Sequence, residues 1–454
     1  MATQRGSRTA PAGAIPTSER PPGDAGLSSA PRHGLPRTSS GARGVRRPTG
    51  RAGPPRPPPR TSGILRPGGP IIPIADAIDQ LLPRFEPLPA ERVPLDRALG
   101  RFLAAPLAVR EDVPGFDNSA MDGYAVLASD VAGASADAPI ALPVLGESRA
   151  GGPPPGALRE GTAMRIFTGA AVPEGADAIV IQEDTERKDQ QLSVRASSAP
   201  GKHIRRRAEV LAAGDVLLEP GAALGAGEIG LCASQAHAFV PVHRRPRVAI
   251  LSTGDELREI GEPPRFGSLI DSNAHCLAAA VRAAGAEPTL LPLGADDLEV
   301  LTAGVRDALA SHDVLLSTGG VSVGAYDLLH RAFADAGVQE VFWKIRVKPG
   351  KPVRFGVAGR VPVVGLPGNP VSALVTFEVF VRPGLRRMLG DPRPFRPLID
   401  AVLAAPMRAP KSRTELARVR FEDHGPPPRA VPHPARGSAA LNSLVALDAL
   451  AVLP

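Results

Sequence analysis

The sequence is poor in cysteine, in aromatic residues and in long apolar runs, and each shortage excludes something. Its 454 residues include two cysteines, Cys232 and Cys276, far apart along the chain. Two such residues cannot build a cysteine-rich zinc site or a disulfide framework, and they suit a reducing, cytoplasmic compartment. Aromatic residues make up 4% of the chain, too few to supply the stacking platforms that grip single-stranded nucleic acid. No apolar run approaches the roughly 20 residues that cross a bilayer, so no membrane association is expected. The histidines show no metal-ligand spacing, and no Ser–His–acid or paired-carboxylate hydrolase pattern emerges.

What is present is uneven. Residues 1–68 carry twelve arginines and no lysine against Glu19 and Asp24, a net +10. The chain's net charge is +7, so the remainder carries −3 and is mildly acidic. The overall basicity therefore does not imply a nucleic-acid partner. Segment 1–68 is rich in Pro, Gly and Ser and has almost no apolar periodicity. It cannot bury enough surface to offset its ordering entropy, and a disordered tail is expected. Its proline density opposes the amphipathic helix of a transit peptide.

The length calls for two to four domains. Helical patterns around Ala77–Leu82, Leu95–Leu103 and Ala226–Ser234 predict a linker domain built from two segments, 69–109 and 201–243. Between them, residues 110–200 alternate apolar and polar groups among turn signals, which predicts a small β domain. A βα alternation then begins. Strands are expected at 248–252, 288–292, 314–317, 341–347 and 362–365, with helices near 273–284, 297–310, 326–336 and 370–388. That order predicts a doubly wound α/β domain over 244–388, with its sites at the carboxyl ends of the strands. The last segment, 389–454, is β-like and punctuated by proline. The fold class is thus multidomain α/β plus β.

Three glycine-rich turns follow apolar strands of the α/β domain: Ser-Thr-Gly-Gly-Val-Ser-Val-Gly (317–324), Lys-Pro-Gly-Lys-Pro (348–352) and Leu-Pro-Gly-Asn-Pro-Val-Ser (366–372). Such turns aim backbone N–H groups outward and attract anions. They nominate Ser322, Lys351, Pro367, Gly368, Asn369, Pro370 and Ser372 as binding residues. Lys344, Arg346 and Lys348 share one parity on the expected strand 341–347 and its extension, so they would share one face. Surface solvation explains such a row if no anion sits there. Asp255 and Glu256 follow strand 248–252, and Asp296, Asp297 and Asp327 lie near other strand ends. Helix capping accounts for the last three individually. Together with the lysines the carboxylates form a hard-cation arrangement, suited to Mg²⁺ bridging a phosphate. By local physics the loop Pro-Gly-Phe-Asp-Asn-Ser-Ala-Met-Asp-Gly-Tyr-Ala-Val (114–126) reads first as a turn with Asx hydrogen bonding at Asp117 or Asn118. Arg-Ile-Phe-Thr-Gly-Ala (165–170) puts Thr168 in a tight turn, where its hydroxyl could serve a ligand or only its own turn. Arg205-Arg206-Arg207 reads as a solvated charge run.

These motifs, with Ser-Thr-Gly-Asp-Glu-Leu (252–257), occur in one order over some 260 residues, and in that order the chain resembles the molybdopterin molybdenumtransferases. This is the MoeA family, which includes the E domain of gephyrin. The resemblance implies four domains: the helical linker, the β domain, the α/β molybdopterin-binding domain and a C-terminal β-barrel-like domain. It implies a homodimer whose site lies between the α/β domain of one subunit and the β domain of the other. The implied reaction inserts molybdate into adenylylated molybdopterin and releases AMP, assisted by Mg²⁺. Carried over by motif, Asp122 and Thr168 form the partner-facing wall. Glu256, Asp296 and Asp327 are the acidic, metal-binding set, and Lys344 and Lys348 the basic set. Pro367 and Pro370 shape the third turn, while Arg420 and Ser438 match functional positions near the C-terminus. Contacts with molybdopterin adenylyltransferase and with recipient molybdoenzymes follow from the same resemblance. The chain departs from the family in two places. Val210 stands where relatives carry an acid after Arg-Arg-Arg-Gly-Glu, and the C-terminal barrel is expected to be shortened or closed differently. Rival readings are the related adenylyltransferase, which lacks the 114–126 and 165–170 motifs, a non-catalytic scaffold, and a paralogue that binds the pterin without turnover.

Overall fold

Strands of four to seven residues, alternating with helices, build a six-stranded sheet in the computed structural model. The structure describes residues 71–453 except 294–296, 320–322, 408–411, 424 and 436, with backbone alone for 323–327. The expected tail, 1–68, lies outside them.

The sheet has six strands in the order Glu287–Leu290, Arg247–Thr253, Val314–Gly319, Val361–Leu366, Arg354–Ala358, Gln339–Trp343. The first four are mutually parallel. Arg354–Ala358 runs against both of its neighbours, so Gln339–Trp343 points the same way as the other four. Helices Ser272–Ala283 and Leu298–Ser311 each start on an aspartate, Asp271 or Asp297, whose carboxylate accepts amide hydrogen bonds. Val248, Ile250, Val314 and Leu316 point to the face that carries Leu277 and Val281. Their odd-numbered neighbours Ala249, Leu251 and Leu315 meet Leu301, Val305 and Phe333 on the other face. The period-two alternation of these strands thus divides the core into two layers. Phe85, Phe355, Phe377 and Phe380 are fully buried, each removing enough apolar surface to contribute roughly 1.5–3 kcal/mol.

Two expectations change here. Residues 341–347 do not form one strand. The strand ends at Trp343, and Lys344 turns the chain at φ +89°. Val347–Lys348 then pairs in parallel with Thr414–Asp423, in the C-terminal sheet. The strand Arg354–Ala358 had no counterpart in the sequence reading, because Lys-Pro-Gly-Lys-Pro and Gly359 left only a short apolar piece between turn signals. The helix expected at 370–388 is continuous in space, as Pro370–Thr376, a π turn at Phe377–Val381, and Arg382–Met388.

Residues of the smaller domains assemble as separate sheets. Six strands from Gly123–Val126 to Gln191–Val194 form the sheet of the β domain. The C-terminal sheet has five, with Thr414–Asp423 flanked by Ala449–Leu453 and Arg429–Pro432. In the linker, Leu103, Leu107 and Val109 share one apolar cluster with Leu217, Leu224 and Val242, so two distant segments close on each other. The expected helix at Leu95–Leu103 is reduced to a 3₁₀ turn, Leu95–Arg97. Helix Ile74–Leu81 instead packs Ala77 and Leu81 into the α/β core.

Candidate active site

Parallel register brings three strand ends level. Thr253 lies opposite Gly319, and Thr318 opposite Leu366. At Gly319 φ is +92°, and an added Cβ would stand 2.0 Å from the Thr253 carbonyl oxygen. Only glycine lets these two strands end side by side. Asn273, in the first turn of the Ser272–Ala283 helix, ties the next pair of ends together. Its Nδ2 donates to Thr318 Oγ1 at 2.9 Å and to the Gly368 carbonyl at 2.7 Å, and Thr318 donates to the Pro367 carbonyl at 3.2 Å. The turn at 366–370 is therefore held from below through its carbonyls, leaving its upper side free for a ligand. Ser252 Oγ and Asn273 Oδ1, both buried, have no hydrogen-bond partner among the described residues.

Beyond the third turn a cavity of about 330 Å³ opens between the α/β and C-terminal domains. Lys348, Asn369, Ser372, Glu415, Arg418 and Ser438 line it. Lys348 Nζ stands 3.2 Å from Glu415 Oε2, and the Glu415 side chain is almost wholly buried. Arg418 is buried too, and donates to the carbonyls of Gly437 and Ala435 and to Ser443 Oγ at 2.7 Å. Burial pushes its pKa down, but a guanidinium remains charged at neutral pH. Arg418 thus fixes the loop that presents Ser438, and the Ser438 carbonyl caps the amide of Val371 at 3.1 Å. With Arg413 also at the wall, the described residues bring three cations, Lys348, Arg413 and Arg418, against one carboxylate at the cavity. A space of this size and sign suits an oxyanion with part of an organic ligand attached.

The β domain offers a different constellation. Asp122, in the turn before strand Gly123–Val126, accepts from both the backbone N–H and the hydroxyl of Thr168, each at 2.7 Å. The Thr168 amide, then its hydroxyl, hold the Asp122 pKa below its ordinary value. Arg165 lies over the rings of Tyr124 and Phe167 and donates to Gln182. Below it, Arg206 and Arg207 pair with Asp117 and Asp112 at 2.6 and 2.5 Å. Two of the three arginines in the run expected to be merely solvated thus fasten the chain at Asp112 and Asp117.

Comparison with known proteins identifies the family. A family model described as the MoeA N-terminal region, domains I and II, matches residues 72–236. A probable molybdopterin binding domain matches 249–387, and the MoeA C-terminal region, domain IV, matches 400–454. The Mycobacterium tuberculosis protein named molybdopterin molybdenumtransferase 2 is 40% identical over 367 residues, 78% of this chain and 89% of its own. The Bacillus subtilis molybdopterin molybdenumtransferase is 33% identical over 387 residues, 84% of this chain and 90% of that one. The crystal structure of a molybdopterin biosynthesis MoeA protein from Pyrococcus horikoshii superposes with a TM-score of 0.72. It is 31% identical and covers 85% of this chain and 95% of its own. The chain belongs to the MoeA family.

Against the MoeA-based expectations, the residues fall into distinct places. Lys348, Asn369, Ser372 and Ser438 meet at the cavity, and Pro367, Gly368 and Pro370 form the turn at its edge. Asp122 and Thr168 meet each other in the β domain. Glu256 is exposed just past the Arg247–Thr253 strand, and Lys351 is exposed past Gly350. The single cationic face is not formed. Lys344 folds over Trp343, with Nζ 3.8 Å from the ring centroid, while Arg346 is exposed and Lys348 joins another sheet. The cause is the positive φ at Lys344, a conformation that costs a non-glycine residue about 1–3 kcal/mol. Arg420 is exposed and donates to the Val445 carbonyl, away from the cavity, which Arg418 lines instead. Asp327 lies on helix Val323–Asp335, its side chain outside the described residues, as are Asp296 and Ser322. Sequence reasoning missed Asn273, Glu415 and Arg418. The Asp271-Ser-Asn start of a helix was a legible cap, but its link to turns 45 and 95 residues away was not.

Proposed function

We propose that this MoeA-family chain inserts molybdate into adenylylated molybdopterin, releasing AMP and forming molybdenum cofactor. The observation that carries this reading is the cation-rich cavity beside the third turn, in a chain whose curated relatives bear the name of that activity. Lys348, Arg413 and the Ser372 and Ser438 region would hold the tetrahedral oxyanion. The turns at 319 and 366–370 would cradle the organic ligand, whose own sulfurs capture the metal. Protein catalysis is then electrostatic: charges placed in advance of the transition state, with no nucleophile from either cysteine.

Mg²⁺ belongs to this proposal. Among the described residues no group of three or more His, Cys, Asp or Glu comes close enough to hold a metal. The exposed Glu256 carboxylate nevertheless fits a hard cation, because Mg²⁺ is commonly held by one or two carboxylates plus ligand phosphates. Glu256, with Asp296 and Asp327, would hold it. When bound, the ion would polarise the phosphoanhydride.

A homodimer with a shared site is the assembly we infer. Asp122 and Thr168 lie in another domain and line no part of the cavity, while Phe116 and Met121 stand exposed beside them, as apolar groups that a partner would cover. A cytoplasmic location fits the two free cysteines. Contacts with the adenylyltransferase upstream and with recipient molybdoenzymes downstream belong to the same proposal.

The test is incubation with adenylylated molybdopterin, molybdate and Mg²⁺. Molybdate-dependent AMP release together with active cofactor is expected. AMP release indifferent to molybdate would make the chain a hydrolase and overturn the reading.

A further inference from the structure

The two lysines of the basic set part company in the structure, and their surroundings differ in kind. Lys348 is paired with the buried Glu415 and faces the cavity on the side of helix Pro370–Thr376. Lys344 has no carboxylate partner among the described residues. Its ammonium lies over the indole of Trp343, the one tryptophan in the chain, at 3.8 Å from the centroid. Among the described residues of 244–388 it is also the one non-glycine residue with positive φ. An aromatic face attracts a cation without neutralising it, so Lys344 keeps its full charge for an incoming anion. The neighbouring Arg354 also lies near the ring, at 5.8 Å, but is paired with Glu340 at 3.0 Å.

Register places this cluster at the business end of the sheet. Trp343 lies opposite Arg354, Arg354 opposite Gly365, and Gly365 opposite Ser317. That row is one step below the glycine turns and on the face of Leu315 and Val363, the face covered by helix Val323–Asp335. Residues directly opposite in a ladder share a face. The Trp343 cluster and the Lys348 cavity therefore flank the turns from different sides.

Resting on the proposed function, we propose that Trp343 is a positioning residue that holds Lys344 for the phosphate of the purine nucleotide. Lys348 and its cavity are left to the inorganic oxyanion. The two lysines are then not one basic patch but two anion sites with separate ligands.

The single tryptophan supplies the readout. Emission of the full chain is followed during titration with AMP and, separately, with molybdate, with calorimetry in parallel. A saturable change with AMP and none with molybdate is expected. Trp343→Leu is expected to weaken AMP binding about tenfold, leaving molybdate binding unchanged, and Trp343→Phe to restore it to within about threefold. Where Trp343→Leu does not fold, Lys344→Gln is read by emission and is expected to lose the AMP response. An AMP affinity indifferent to Trp343→Leu, an intact response in Lys344→Gln, or a response to molybdate alone would each overturn the inference. Calorimetric binding of both ligands with silent emission overturns it while leaving the proposed function standing. Binding of neither ligand overturns both.

Discussion

The strand ends of the α/β sheet and the Asp122 loop of the β domain solve the same problem in opposite ways. Both are glycine-bearing turns beside strands, and both put polar groups where a ligand could meet them. In the α/β domain the ordering group is buried: Asn273 works from beneath, on Thr318 and on the carbonyl of Gly368. In the β domain the ordering group is itself the exposed one, since Asp122 accepts both hydrogen bonds from Thr168 at the surface. A buried amide shapes a turn without offering itself to a ligand. An exposed carboxylate does both, and stays ionised while doing so. The first arrangement is rigid and specific, and the second is ready to meet a partner.

The glycines break this comparison most sharply. Gly319→Ala forces a methyl group onto the Thr253 carbonyl and is expected to cost about 3–5 kcal/mol in denaturant unfolding. Gly169→Ala, at φ +79° but with its nearest neighbour 4.0 Å away, should cost about 1 kcal/mol. Equal losses would mean that φ alone, and not the close approach of strands, governs the sheet's end.

At the cavity, Lys348→Ala combined with Glu415→Gln, which avoids stranding a buried carboxylate, should lower kcat/KM for cofactor formation about 10²-fold. The melting temperature should move little. Asp122→Asn keeps an oxygen for the Thr168 amide and removes the charge, and should lower kcat/KM about tenfold by the same assay. Mixing the two variants after dissociation tests the shared site: a random mixture should regain roughly a quarter of wild-type activity if each site draws on two subunits. Additive residual activity would refute that assembly.

The smallest effect expected is on pH. The pKa of Asp112 is lowered from its ordinary value of 3.8, first by the Ala213 amide and then by Arg207; that of Asp117, likewise from 3.8, by the Arg207 amide and Arg206. Groups so depressed stabilise the fold fully above their unfolded value and lose that contribution as pH falls through the folded one. Amide exchange around 112–122 and 206–213 should therefore quicken below about pH 4, while amides of strand Val314–Gly319 should follow later.

Much of this was legible along the chain. The doubly wound order, the three turns and the loop at 114–126 are local patterns of period and punctuation, and each turned up at a strand or helix end. The cation row was not legible, because alternation continues through 344–348 on paper while one backbone dihedral at Lys344 splits it between two sheets. Arg420 and Arg418 share a parity on one strand, so only the packing of the 435–443 loop could say which lines the cavity.

By itself the sequence determined most of the strands and helices of the doubly wound domain, where its glycine turns fall, and which family's motifs are present, since those depend on neighbours a few residues apart. The tertiary structure alone decided which polar groups are buried, which cation meets a carboxylate and which an aromatic face. Those outcomes depend on register and on contacts between residues tens of positions apart, where desolvation and geometry, rather than residue type, set the energy.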